Sequence, residues 1–276
     1  MNFTKIEKIN CNTEKWMTYS KSKDLPYVLS ISHPKKPAPP SGYPIIYVLD
    51  GNAFFQSVEE SIRLQSRRAD KTNVQKAIVV GIGYPTDDDF DTDRRFYDFT
   101  PSTKHHEIIT RPNGDPYPEN GGADIFINFL KNEVIPFIVE QYHVDQTRQI
   151  LFGHSLGGLF VLHTLFNHPD LFQSYIASSP SIWWNKQAVL ENESGFVSNI
   201  DILAKQTKLF LTIGSLETAD MITNVKQLSE RLSKHQTDGF RVEYHEADGE
   251  NHISVVPTTL SRALRFVFHE KIPATR

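Results

Sequence analysis

The sequence has a single cysteine, Cys11, among its 276 residues. No disulfide can form within the chain, which fits a reducing compartment. It lacks any apolar run near the roughly 18 residues that a membrane-crossing helix needs. It also lacks an apolar leader, because Met1-Asn-Phe-Thr-Lys-Ile-Glu-Lys8 carries charge where a signal peptide carries its hydrophobic stretch. A cytoplasmic location without membrane attachment is therefore expected. Positive charge is not in excess: 29 Lys+Arg against 33 Asp+Glu give a net charge of -4. Nothing in that balance draws the chain to nucleic acid or to an anionic membrane. No internal repeat is found. The one biased tract, Pro34-Lys-Lys-Pro-Ala-Pro-Pro-Ser-Gly42, reads as a stiff surface loop, since the segment before it is too short to hold a core. What remains is an ordinary globular composition, 39% hydrophobic and 22% charged. The length allows one large core, and a single domain over residues 1–276 is expected.

Apolar periodicity gives the architecture. Glu14–Tyr19 and Tyr27–Ile31 are rich in aromatic and β-branched residues and read as strands of a peripheral antiparallel extension. Tyr43-Pro-Ile-Ile-Tyr-Val-Leu-Asp50 is continuously apolar, as a strand buried on both faces should be. Ala77–Gly81, Gln149–Phe152, Gln173–Ala177, Leu209–Ile213 and Arg241–His245 read as further strands. Helical spacing occupies Val58–Leu64, Ala123–Tyr142, Val225–Leu232 and Val255–Phe268. Strands alternating with helices imply an α/β fold with a mostly parallel, doubly wound sheet. Residues 86–122 and 183–205 are expected to be loop or lid excursions. The run Asp87, Asp88, Asp89, Asp91 and Asp93 lacks a calcium-loop pattern and reads as solvated. His105-His106 is a poor metal motif, because adjacent side chains do not converge.

The chemistry-bearing stretch is Gln149-Ile-Leu-Phe-Gly-His-Ser-Leu-Gly-Gly158. An apolar strand enters a G-x-S-x-G turn and an apolar helix leaves it, the pattern of a nucleophile elbow. Ser155 would supply the attacking hydroxyl. Gly153 and Gly157 would allow the tight turn, and Gly158 would bring the helix close to the sheet. A serine hydroxyl needs a base and an orienting acid, which follow the nucleophile in the order acid, then histidine. His252 stands just after the last strand, in Asp248-Gly-Glu-Asn-His252. Glu217 and Asp220 both follow the strand ending at Ile213, and Glu217 is preferred because it is nearer the strand end. Asp248 is a third candidate, and a Ser-His dyad is the other arrangement open. The oxyanion would be held by the Leu156 amide and by an amide of Asp50-Gly-Asn-Ala53, with Asn52 preferred over Gly51. No cofactor and no metal ligand set is required.

With these residues in hand, the chain resembles the putative-esterase family of α/β-hydrolases, which includes esterase D, feruloyl esterases and siderophore esterases. The marks are Tyr47-Val-Leu-Asp-Gly-Asn52, Arg95-Phe-Tyr-Asp-Phe-Thr-Pro101, Gly153-His-Ser-Leu-Gly-Gly158, Ala177-Ser-Ser-Pro-Ser-Ile-Trp-Trp184 and Gly249-Glu-Asn-His252. Within the family it is most similar to the cytoplasmic trilactone-siderophore hydrolases of the bacillibactin type. That resemblance implies an α/β-hydrolase fold and hydrolysis of the ester bonds of a ferric tris-catecholate trilactone, releasing iron. Esterase D enzymes usually carry an aspartate as the acid, and Glu217 departs from that. The alternatives are a general carboxylesterase or acyl-thioester hydrolase, and a non-catalytic siderophore-binding protein. A bulky trianion with aromatic arms should prefer a cationic, aromatic-lined mouth. Arg95 and Trp183 are expected to line it, with Arg67, Arg68, Arg94, Lys104 and Arg111 nearby. The competing readings are an Arg95–Asp98 ion pair and a tryptophan packed in the core.

Overall fold

The computed structural model describes residues 3–8, 12–102, 110–111, 113–203 and 206–269. Cys11, Lys104 and the His105-His106 pair lie outside the described residues. Among the described residues nine strands form one sheet in the order β1-β2-β3-β5-β4-β6-β7-β8-β9. β1 (Thr4–Lys8), β2 (Thr13–Tyr19) and β3 (Pro26–Ser32) form an antiparallel meander that joins β5 (Ile78–Gly83). β4 (Tyr43–Leu49) pairs in parallel with β5 and with β6 (Val144–His154). β7 (Ser174–Ser178), β8 (Thr207–Gly214) and β9 (Phe240–Ala247) continue the parallel part. The carboxyl ends of the parallel strands therefore share one edge, where the connecting loops collect.

All residues of β4 are buried, because helices cover both faces of the sheet at that point. Its side chains alternate between two cores: Ile46 and Val48 join one, Ile45, Tyr47 and Leu49 the other. The first core is closed by α1 (Gly51–Gln65) and α11 (Val255–Phe268). The second is closed by α6 (Leu156–Asn167) and α10 (Ala219–Ser233), with α4 (Ala123–Phe129) and α5 (Ile135–Gln141). Every residue from Leu156 to Phe166 is buried, so α6 is covered on all sides.

Several elements differ from the sequence reading in physically explicable ways. β1 has little apolar alternation and forms as an edge strand on β2. α1 begins directly at Gly51, so Gly51-Asn52-Ala53 is a helical first turn and not a free loop. The expected helix from Ala123 to Tyr142 is interrupted by a π turn over Leu130–Val134. Pro136 lies just beyond it, lacking the N–H that the regular ladder would use. α2 (Ala69–Thr72) is a short turn before β5. The excursion after β5 contains α3 (Thr92–Phe99), whose first turn is capped by the Asp91 carboxylate accepting from the Arg94 amide. The excursion after β7 contains the short turns α7 (Trp184–Gln187), α8 (Glu193–Ser198) and α9 (Ile200–Leu203). No described helix is long and apolar enough to cross a membrane.

Candidate active site

β6 ends at His154 and α6 starts at Leu156, so Ser155 is the whole turn. It sits at φ 58° and ψ -117°, a conformation that costs a non-glycine residue about 1–3 kcal/mol. The surroundings enforce it. The Ser155 amide donates to the Ser178 carbonyl, and its own carbonyl accepts from Leu159 and Ser181. A Cβ on Gly153 would lie 2.2 Å from the Gly157 carbonyl oxygen, and one on Gly158 would lie 2.9 Å from Pro180 Cα. Those two glycines are required by close approach. A Cβ on Gly157 would meet nothing closer than 3.5 Å, so the turn does not depend on Gly157 in the way its motif position suggested.

The strand ends bring three side chains together. Ser155 Oγ lies 3.0 Å from His252 Nε2. His252 Nδ1 lies 2.7 Å from Glu217 Oε2. An ionised carboxylate can only accept, so Nδ1 carries the proton and the bare Nε2 faces the serine hydroxyl. The other oxygen of Glu217 accepts from Ser179 Oγ at 2.5 Å and from the Gly214 amide at 2.9 Å. Burial raises the carboxyl of Glu217. The bonds from His252, Ser179 and Gly214 outweigh it, and the group is held below the usual glutamate value. Asp220 is exposed in the first turn of α10, and Asp248 is exposed after β9. Thr218, not Asp220, caps α10 by accepting from the Met221 amide.

The acid loop and the histidine loop are fastened to each other. Ser215 N–H donates to the Ala247 carbonyl, Leu216 N–H to the Glu250 carbonyl, and the Gly249 amide to Ser215 Oγ. A Cβ on Gly214 would lie 2.3 Å from the Glu250 carbonyl oxygen, so only glycine lets the loops meet. Sequence reasoning did not single out Ser179, Gly214 or Ser181, whose Oγ lies 3.3 Å from Ser155 Oγ. The available signal was their position: Ser179 and Ser181 lie one and three residues beyond β7, and Gly214 is the last residue of β8.

Two helix N-termini flank the serine. In α6 the first helical bond runs from the Leu159 amide to Ser155, which leaves the Leu156 amide outside the ladder. In α1 the Ala53 and Phe54 amides bond the Asp50 carbonyl, which leaves the Gly51 and Asn52 amides outside it. The Asn52 side chain is fixed separately: Oδ1 accepts from the Tyr84 amide and Nδ2 donates to the Tyr84 and Thr86 carbonyls.

The expected cationic mouth is not what the arginines make. Arg95 donates from Nε and Nη2 to both carboxylate oxygens of the buried Asp50, at 3.0 and 2.9 Å. Its partner is Asp50, not Asp98, and as a pair the two charges largely cancel for a distant anion. Arg94 reaches the Pro26 carbonyl, stacks on Tyr27 and Tyr84, and lies 3.8 Å from Asp98. Arg67 and Arg68 stand beyond the C-terminal end of α1, which runs back from the strand ends, so they sit at the far edge of the sheet. Aromatic groups are present instead. Trp183 is 38% exposed, whereas Trp184 is buried against Phe96 and Tyr117. Arg111 lies over the Tyr117 ring. Leu216 and Ile253, next to Glu217 and His252 in sequence, are each 67% exposed. Among the described residues no three His, Cys, Asp or Glu side chains gather as a metal site.

Comparison with known proteins identifies the family. Residues 20–266 match the putative-esterase family. The chain belongs to that family. As a putative-esterase member it is a carboxylic ester hydrolase with an α/β-hydrolase fold. The ferri-bacillibactin esterase of Bacillus subtilis is 44% identical over 95% of this chain and 91% of its own length. The siderophore enterobactin esterase of Emericella nidulans is 38% identical over 75% of this chain and 70% of its own. The crystal structure of the BES protein from Bacillus cereus superposes with a TM-score of 0.91 at 48% identity, covering 97% of this chain and 100% of that one.

Proposed function

We propose that this esterase is a serine hydrolase that opens the ester bonds of a ferric tris-catecholate trilactone siderophore of the bacillibactin type, in the cytoplasm, so that iron can be released. The observation that carries the reading is the continuous chain Ser155 Oγ, His252 Nε2, His252 Nδ1, Glu217 Oε2, with contacts of 3.0 and 2.7 Å. The names of the relatives, a ferri-bacillibactin esterase and an enterobactin esterase, support the substrate class. The whole constellation rises from one sheet, which supports a single hydrolase domain over residues 1–276.

The chemistry is acyl transfer. His252 Nε2 takes the hydroxyl proton while Ser155 Oγ attacks the lactone carbonyl. Glu217 stabilises the resulting imidazolium from Nδ1. The tetrahedral oxyanion is held by the Leu156 amide together with Asn52 or Gly51, at the N-termini of α6 and α1. His252 then protonates the leaving hydroxyl, and water activated by the same ring releases the acid. Iron enters and leaves within the substrate. Trp183, with Leu216 and Ile253, offers an apolar rim on which catechol rings rest, and Arg95 acts mainly through Asp50 on the loop that starts α1.

The test is product analysis by mass spectrometry. Wild-type and Ser155→Ala protein are each incubated with ferric bacillibactin, ferric enterobactin and p-nitrophenyl acetate. Trilactone opening that disappears in Ser155→Ala is expected. Cleavage of the small ester alone would leave the serine chemistry and remove the siderophore substrate. Iron release that is unchanged in Ser155→Ala would point to a binding protein.

A further inference from the structure

His154, between Gly153 and the serine, makes a contact that the proton relay does not use. It is 2% exposed. Its Nε2 lies 2.7 Å from the backbone carbonyl oxygen of His252, and the two rings are 4.6 Å apart. A carbonyl only accepts, so Nε2 carries the hydrogen and Nδ1 is bare. Nδ1 faces the interior. Strand register sets Ser178 beside His154 and Thr212 beside Ser178, on one face of the sheet. His154 Nδ1, Ser178 Oγ and Thr212 Oγ1 are all buried without a protein hydrogen-bond partner.

We propose that His154 is a positioning residue for His252, holding its backbone through Nε2–H and packing beneath its ring. The proposal rests on the reading of Ser155, His252 and Glu217 as the relay. During turnover the side-chain bonds of His252 change as protons move. The bond to its carbonyl does not, so it can keep the ring in place at every step. Burial first, and the neighbouring His252 second, push His154 down to about 3. It therefore stays neutral and adds no second cation beside the imidazolium. The charged groups facing the two rings are Glu217 and Arg95.

Two substitutions separate positioning from bulk packing. His154→Phe keeps a ring and loses the donor, whereas His154→Gln keeps a buried N–H. The expected result is a kcat roughly 10- to 100-fold lower in His154→Phe with KM almost unchanged, and substantial recovery in His154→Gln. Wild-type kcat in a folded His154→Phe protein would overturn the proposal. Should that variant not fold, nitrogen NMR of the wild type decides. A neutral Nε2–H tautomer of His154 that persists from about pH 8 to about pH 5 is expected. An Nδ1–H tautomer, or protonation in that window, would overturn it. Failure of the relay reads differently: Ser155→Ala would retain turnover while the His154 resonance stayed unchanged.

Discussion

Glu217 is gripped by three donors at once, from Ser179, the Gly214 amide and His252. That arrangement keeps one oxygen fixed and aims the other at the imidazole. Glu217→Gln preserves size and lets the amide oxygen take over some of these bonds. It removes the charge that holds the protonated ring and can present an N–H to Nδ1, favouring the wrong tautomer. A fall in kcat on the order of 10³- to 10⁴-fold is expected, with little change in KM. Asp220→Asn, at an exposed site in α10, should stay within about 0.5 kcal/mol of wild type in stability and leave kcat unaltered. Steady-state kinetics with p-nitrophenyl acetate checks both, and equal losses in the two variants would sink the assignment of the acid. At this scale the contact of Ser155, His252 and Glu217 side chains was legible, because residue type and order along the chain single them out. His154 was not singled out, since its burial and its bond to a backbone 98 residues away leave no local trace. Arg95 misled for the same reason: Asp98 is near in sequence, but the partner in space is Asp50 at the end of β4.

Elements were legible where periodicity and burial agree. β4 reads as a doubly buried strand and is one, and α11 spans the residues its spacing indicates. Short elements whose order comes from tertiary contacts were not. α3 is the clearest case, because its sequence is polar and its anchor is long-range. Asp98, on its last turn, accepts from the hydroxyls of Tyr27 on β3 and Tyr84 beyond β5. Burial pushes the Asp98 carboxyl up from 3.8 to about 7, and Arg94 with the two tyrosines offsets that only in part. The folded state therefore holds this proton more tightly than the unfolded chain does. The contribution of Asp98 to stability is most favourable at low pH. It declines as pH rises from near 4 through about 7, and is constant above that. Asp98→Asn removes the titration and keeps an acceptor for a tyrosine. The difference in melting temperature, variant minus wild type, should be more positive at about pH 8 than at about pH 5. A difference that does not vary with pH would show that Asp98 does not titrate in this range.

For the whole molecule, the decisive question is how an anionic substrate reaches an acidic protein. A ferric ion held by three doubly charged catecholates is a trianion, and the chain carries a net charge of -4. Long-range electrostatics then oppose encounter, since the Arg95 charge is paired with Asp50 and does not offset the net negative charge. Attraction must come at short range, from apolar groups such as the exposed Trp183, Leu216 and Ile253. The two terms respond oppositely to salt. Raising ionic strength from about 10 to about 150 mM shortens the screening length from roughly 30 to 8 Å, which weakens the repulsion and leaves apolar contact intact. The kcat/KM for ferric bacillibactin is thus expected to rise a fewfold over that range, while that for neutral p-nitrophenyl acetate stays flat. Initial rates in a sodium chloride series at fixed pH measure this directly. A fall with salt would mean that a cationic patch steers the substrate, and the apolar rim would lose its place as the main source of recognition. A Trp183→Ala protein then discriminates further. It should raise KM for the catecholate substrate at every salt concentration and leave the small ester unaffected, because the indole acts by contact and not by field.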